Sequence, residues 1–324
     1  MNNIDTTPTI SVVMSAYNAE EYLEEAITSI LNQTFSDFEF IIIEDCSTDK
    51  TLIILESYAK NDPRIKIIKK EQNKGTAGFI ENLNIGLKTA KGKYIARMDA
   101  DDISFLTRFE KQVNFLENNP EIDIVGASIE LVDENTKPIE TWQAIEHHVD
   151  IVKRMPKKIS LYHPVIMFRK ESVESYREKA FFCEDYDLYF NMIVAGKKLA
   201  NLPEVLLKYR ILKTSISRKK SKFTRWLFVE KIRSFYKEHV RTGADTYQQF
   251  DPDNFLKVLD LDFKNDKADL LFALRCSISF NTKEETEILY KKIGLQYPKT
   301  NLLGYHIIDK LAFKIKKHLI KLIG

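Results

Sequence analysis

Between residues 9 and 132 the chain alternates short β-branched and aromatic runs with longer stretches in which apolar positions recur every three or four residues. That is the pattern of a parallel sheet covered by helices. Residues 10–14 predict a first strand. Residues 19–33 predict a helix whose inner side carries Tyr22, Leu23, Ala26, Ile27, Ile30 and Leu31. The unbroken run FEFIII at 38–43 suits a central strand covered on both faces. A helix over 52–59 follows, with Ser47, Thr48 and Asp49 as its choice of cap. The alternation continues with a strand at 64–68, a helix at 77–89, a strand at 93–98, a helix at 105–117 and a sheet-extending run at 122–132.

From 137 to 211 the periodicity weakens, leaving a helix at 185–194 and strands at 165–168 and 205–211. Beyond 218 every periodic stretch is helical, over 223–240, 267–280, 284–293 and 305–323. The expectation is an α/β unit over residues 1–217, Rossmann-like, with a mostly parallel central sheet and helices on both faces. A helical C-terminal region over 218–324 completes it. No internal repeat or low-complexity linker interrupts the chain.

Composition narrows the function. With 49 Lys and Arg against 47 Asp and Glu among 324 residues, the net charge of +2 offers no bulk attraction to nucleic acid, which is not expected as a partner. Cys46, Cys183 and Cys276 are widely spaced, so neither a disulfide framework nor a zinc site is indicated, and a reducing cytoplasm fits. No basic leader precedes the first apolar stretch, and no run of about 18 apolar residues occurs. Residues 208–225 hold eight Lys or Arg and no acid, a local positive surface. In 305–323, Ile308, Leu311, Ile315, Leu319 and Leu322 oppose Lys310, Lys314, Lys317 and Lys321. Such a helix either packs on its neighbours or lies peripherally on an anionic bilayer, on the inner face of the cell membrane.

Chemistry concentrates at RMDADD, residues 97–102. At a strand end, residues i and i+2 point the same way, so Asp99 and Asp101 are expected to project together and Asp102 elsewhere. Two adjacent carboxylates repel and call for a cation. Mg²⁺ or Mn²⁺ suits hard oxygen ligands, and its remaining ligands are commonly phosphate and water. The alternative is that Asp101 and Asp102 cap the following helix. Three more polar loops follow predicted strands, at 15–18, 44–49 and 73–75, where open α/β sheets bind ligands.

Taken jointly, SVVMSAYN (11–18), EDCSTDKT (44–51), NKG (73–75), RMDADD (97–102) and EDYDL (184–188) resemble the motifs of inverting glycosyltransferases of family 2, with the GT-A fold and of the bacterial cell-surface glycan type. The resemblance spans roughly residues 8–215. It implies a metal-dependent transfer of a sugar from a UDP-sugar, or a dTDP-sugar, to a saccharide or lipid-linked saccharide. Asp45 would face the base, accepting from the N3–H of uracil or thymine, with Tyr17 beside it. Lys74 would approach ribose or phosphate, and Arg97 would meet phosphate or offset the aspartates. Asp101 would bind Mn²⁺ or Mg²⁺ directly, Asp99 would take ribose or a metal-bound water, and Asp102 would steady the sugar. The resemblance makes Asp185 the base that deprotonates the acceptor hydroxyl; from spacing alone it is equally a first-turn helix acid. Arg210, with Ser215 and Ser217, would close over the phosphates. His163 reads as structural. KFTRW at 222–226 differs from the QxxRW box of processive synthases in having Lys222 for Gln, which favours single additions. The alternatives are a phosphatase of the haloacid dehalogenase kind and a non-catalytic nucleotide- or sugar-binding module.

Overall fold

The computed structural model describes residues 7–212, 221–311 and 319–320. The loop with Ser215 and Ser217, and most of the chain past Leu311, lie outside the described residues. Two compact units are present, Met1–Ser215 and Ile216–Gly324.

In the first unit the elements run β1 (Ile10–Ala16), α1 (Leu23–Leu31), β2 (Phe38–Glu44), α2 (Thr51–Asn61), β3 (Ile65–Lys69), α3 (Gly75–Thr89), β4 (Tyr94–Asp99) and β5 (Ile103–Ser104). They continue with α4 (Arg108–Asn118), β6 (Ile124–Val132), β7 (Pro138–Trp142), α5 (His148–Arg154), β8 (Met167–Arg169), α6 (Glu184–Val194) and β9 (Leu199–Arg210). One sheet has the order β3-β2-β1-β4-β8-β6-β9-β5, with β7 on the side of β6. The expected parallel pairing holds from β3 to β4. Past β4 the sheet is mixed: β8 is antiparallel to β4 and β6, whereas β6 and β9 run parallel.

Both faces of the parallel half are covered. Val12, Met14, Phe40, Ile42 and Met98 share one core with Ala26, Ile27 and Ile30 of α1 and Phe109, Val113 and Leu116 of α4. On the other face α3 lies so close to β1 that a Cβ at Gly86 would overlap the Val13 side chain. Gly86→Ala is therefore expected to destabilise the chain despite its helix propensity. The gain of about 1 kcal/mol for Ala over Gly in a helix is outweighed by overpacking, which costs about 1–3 kcal/mol. A lower urea midpoint for the variant checks this, and a raised midpoint would refute it.

Two departures from the expected elements stand out. Helix α1 starts at Leu23, not residue 19, and the Ala19 and Glu20 N–H groups that precede it donate to Thr51 at the start of α2 and to Asp49 before it. Strand β7 escapes detection because all five of its residues are exposed, which erases the alternation that marks a half-buried strand. Of the C-terminal helix expected over 305–323, Leu303–Asp309 is helical, and most of the remainder lies outside the described residues.

The second unit is helical, over Lys222–Thr242, Pro252–Phe255, Lys267–Phe280, Lys283–Gln296 and Leu303–Asp309. Ser221 caps the long first helix by accepting from Thr224 N–H at 3.1 Å, and Gly243 ends it at φ +79°, a left-handed position that favours glycine. Phe228, Phe235, Phe250 and Phe255 pack edge to face. The Lys231 ammonium lies 5.1–5.7 Å from four phenylalanine rings and pairs with Asp269 at 2.9 Å. Among the described residues, no helix is long and apolar enough to cross a membrane.

Candidate active site

Register brings the polar loops together. Ser15 pairs with Asp99, Ala16 with Glu44 and Glu44 with Lys69, so the chain leaves β1, β2, β3 and β4 along one rim. The first two loops are laced to each other. Thr48 N–H donates to Asn18 Oδ1 at 2.8 Å, Asn18 N–H to Ser47 Oγ at 3.1 Å and Lys50 N–H to Glu20 Oε2 at 2.9 Å. Asn18 and Cys46 adopt φ +47° and +61°, a strain that persists where the surroundings over-determine the backbone. Tyr17 stands on this rim, exposed.

Asp45, one residue past β2, is buried. Asn73 Nδ2 donates to its Oδ2 and to its backbone carbonyl, both at 3.1 Å. Lys70 Nζ lies 3.6 Å from Oδ1 and pairs with Glu81 at 2.8 Å. Among the described residues no donor hydrogen-bonds to Oδ1. Burial pushes the Asp45 carboxyl up, with Asn82 and Lys70 pulling it back. Lys74, expected near ribose or phosphate, is exposed and pairs with Glu81 at 3.2 Å; the lysine beside Asp45 is Lys70, which sequence does not single out. The register that sets Glu44 against Lys69 also sets Asp45 against Lys70, but it is visible only once the strands are paired.

The acidic cluster is tighter than the strand argument predicts. Carboxylate oxygens of Asp99, Asp101 and Asp102 all lie within 4.8 Å of one another. Strand β4 ends at Asp99 and a turn follows, so the i, i+2 alternation stops there and Asp102 joins the group instead of facing elsewhere. Asp102 is buried; its Oδ1 accepts from Arg210 N–H at 2.8 Å, and Oδ2 has no donor among the described residues. Burial, reinforced by Asp99, pushes Asp101 up to about 7. Burial with Asp101 and Asp99 raises Asp102 well above the carboxylate range. Three convergent hard oxygens, one of them orphaned, fit a divalent cation of the Mg²⁺ or Mn²⁺ kind.

Of the two arginines read from sequence, Arg97 takes the second of its two expected roles and Arg210 is engaged elsewhere. Arg97 is buried and pairs with Asp99 at 2.6 Å, so it offsets the aspartates. Arg210 is buried at the end of β9, with its guanidinium committed to Asp101, Glu134, Thr136 and Glu25. The Arg210 donors are thus taken up by protein acceptors, whereas Arg97 Nε has no hydrogen-bond acceptor among the described residues.

Asp185 sits in the first turn of α6. Burial pushes it up to about 6, against the Tyr186 N–H that it accepts at 2.6 Å, and both Arg97 and Asp99 lie near enough to act on it. Burial and the Asp185 charge push the adjacent Glu184 up to about 8. The two carboxyls share one buried site, and each raises the cost of ionising the other. His163 Nε2 shares a hydrogen bond with Tyr176 OH at 2.8 Å, and its Nδ1 lies 3.9 Å from Glu184. Burial with the Arg97 charge lowers His163 far below its usual range, so it is a neutral, hydrogen-bonded ring. Phe182, just before α6, holds φ +64°, an outlier for so bulky a residue. The Arg177–Asp187 pair, with Nε donating to Oδ2 at 2.8 Å, anchors the segment on its other side.

Comparison with known proteins agrees with this architecture. Residues 11–177 match the model of "Glycosyl transferase family 2". The O-antigen biosynthesis glycosyltransferase WbnJ of Escherichia coli is 37% identical over 209 residues, covering 62% of this chain and 79% of that protein. Among solved structures, S. aureus TarS 1-349 in complex with UDP-GlcNAc superposes with a TM-score of 0.63 at 17% identity, over 97% of this chain and 87% of that one. The mannosyltransferase PcManGT of Pyrobaculum calidifontis, in complex with GDP-Man and Mn²⁺, gives 0.53 at 15% identity, over 98% and 87%. The chain belongs to glycosyl transferase family 2 and has the GT-A fold. It is a glycosyltransferase, which replaces the phosphatase and binding-module alternatives.

Proposed function

We propose that the enzyme moves a sugar from a UDP-sugar to a hydroxyl of a bacterial surface glycan or its lipid-linked precursor, with inversion and with a divalent cation. The carrying observation is the pairing on one rim of Asp45, at the end of β2, with the aspartate cluster, at the end of β4. With β1 between them, the two stations lie about 10 Å apart at two strand spacings, a separation that a nucleoside diphosphate bridges.

Asn73 donates to Asp45 Oδ2, and Oδ1 has no donor among the described residues. Oδ1 would accept the single N3–H of uracil; guanine, whose two adjacent donors call for both oxygens, would compete with Asn73, and unprotonated cytosine offers no donor at N3. Tyr17 would stack on the base. Asp99, Asp101 and Asp102 would hold the cation, which supplies Lewis-acid neutralisation of the departing diphosphate. Asp185 would take the acceptor hydroxyl's proton as the hydroxyl attacks the anomeric carbon opposite the nucleotide, giving a β-linkage from an α-linked donor. TarS with UDP-GlcNAc, PcManGT with Mn²⁺ and the O-antigen role in the name of WbnJ support donor, metal and acceptor class respectively.

Calorimetric titration of UDP, GDP and CDP in Mn²⁺ tests the reading. UDP is expected to bind at least roughly tenfold more tightly than either, the worth of one well-placed hydrogen bond. Equal or tighter binding of GDP would overturn the uracil assignment.

A further inference from the structure

We infer that Arg210 is a positioning residue that sets the shape of the cation-binding loop, and that it touches no substrate. This rests on the reading that Asp99 and Asp101 hold a divalent cation.

Six groups meet Arg210. Its Nε donates to the carbonyl of Asp101 at 2.9 Å, and its backbone N–H to Asp102 Oδ1 at 2.8 Å. Its Nη1 donates to Glu134 O at 3.1 Å and Thr136 Oγ1 at 2.9 Å, in the turn between β6 and β7. Its Nη2 donates to Glu25 Oε2 at 2.6 Å on α1, and the guanidinium lies 4.4 Å from the centre of the Tyr22 ring. One buried side chain thus ties the aspartate loop to two other elements. The short pairing of β5 with β9, at Ile103–Lys208 and Ser104–Leu207, carries the loop past the same strand end.

The chemistry of the residue matters here. A planar fork of five donors serves several acceptors at fixed angles, which a lysine ammonium on a flexible stem cannot do. Thr136 is an independent sign of constraint: a β-branched residue at φ +63° holds that conformation only where its surroundings dictate it, and its hydroxyl is the acceptor for Nη1. Because the Asp101 carbonyl is held from behind, the Asp101 carboxylate is fixed at its root. Fixing a ligand's orientation is what outer partners of metal ligands contribute to affinity.

The test is calorimetric titration of Mn²⁺ in the presence of UDP, on the full chain, for the native protein, Arg210→Lys and Glu25→Gln. Arg210→Lys should weaken Mn²⁺ binding by about 10–100-fold while UDP binding without metal changes little. Glu25→Gln removes one anchor of the guanidinium at a half-exposed carboxylate and should weaken Mn²⁺ binding less, in the same direction. Thermal unfolding and circular dichroism establish that each variant is folded; should Arg210→Lys fail to fold, Glu25→Gln decides alone. Unchanged Mn²⁺ affinity, or equal losses in Mn²⁺ and metal-free UDP binding, would overturn the inference. Absence of Mn²⁺-dependent UDP binding in the native chain would instead remove the metal reading and this inference with it.

Discussion

Replacing Asp185 by Asn should reduce sugar transfer by about 10³-fold, within the usual range for a lost general base, while UDP and Mn²⁺ bind as in the native chain. The substitution keeps size and one oxygen that can accept from Tyr186 N–H, and it removes the charge and the ability to accept a proton. Its effect should therefore fall on kcat and not on donor affinity. The pH profile is the sharper readout. Burial holds Asp185 at about 6, so the native rate should rise as pH increases through about 6, where the base loses its proton, and level off above. The Asn variant should lack that limb. Normal turnover in the variant, or an unchanged acid limb, would remove Asp185 from the reaction and return it to the role of a first-turn helix acid.

Asp101→Asn should act in two opposite directions. With metal present, Mn²⁺-dependent UDP binding should fall roughly 100-fold, because one oxygen of a small anionic donor set becomes a neutral amide. Without metal, the same variant should be the more heat-stable protein. The three carboxylates crowd within 4.8 Å, and removing one relieves repulsion and the cost of burying charge. A gain of about 2–4 °C in Tm corresponds to about 1 kcal/mol in a domain of this size. The native chain should in turn gain stability on adding Mn²⁺, since ligand binding to the folded state adds to it, and the variant should gain much less. A metal-free variant less stable than the native chain would show that the Asp101 carboxylate holds the loop together instead of straining it.

What could be foreseen from sequence follows from where burial leaves a pattern. FEFIII is buried at every position, so β2 is legible, and with it the alternation that orders the parallel half. Residues 267–280 were expected as a helix and form one, because their apolar repeat faces a core. β7, wholly exposed, leaves no such trace. In the candidate site, Asp45 and the aspartates were identifiable as carboxylates at strand ends. Their partners were not: Lys70, Asn73 and Glu25 reach them through register and packing, and nothing separates Lys70 from Lys69 or Lys74 in the run KKEQNKG. For Arg97 the sequence leaves two roles open, and its pairing with Asp99 is the second of them; Arg210 departs from its expected role. Sequence shows that a guanidinium is near an anionic site, but only coordinates show whether its donors are already taken. Strand alternation does not reach Asp101 or Asp102, because β4 ends at Asp99 and a turn follows.

The backbone lacing between the loops after β1 and β2 bears on how the donor enters. Side chains of Asn18, Ser47, Asp49 and Glu20 already satisfy the amides that an incoming nucleotide would otherwise have to organise. Little of the intrinsic affinity is then lost to freezing a floppy rim. On the proposed reading the base would enter a preformed mould, and selectivity among nucleotides would come from fixed partners instead of from a loop that reshapes itself around whatever arrives.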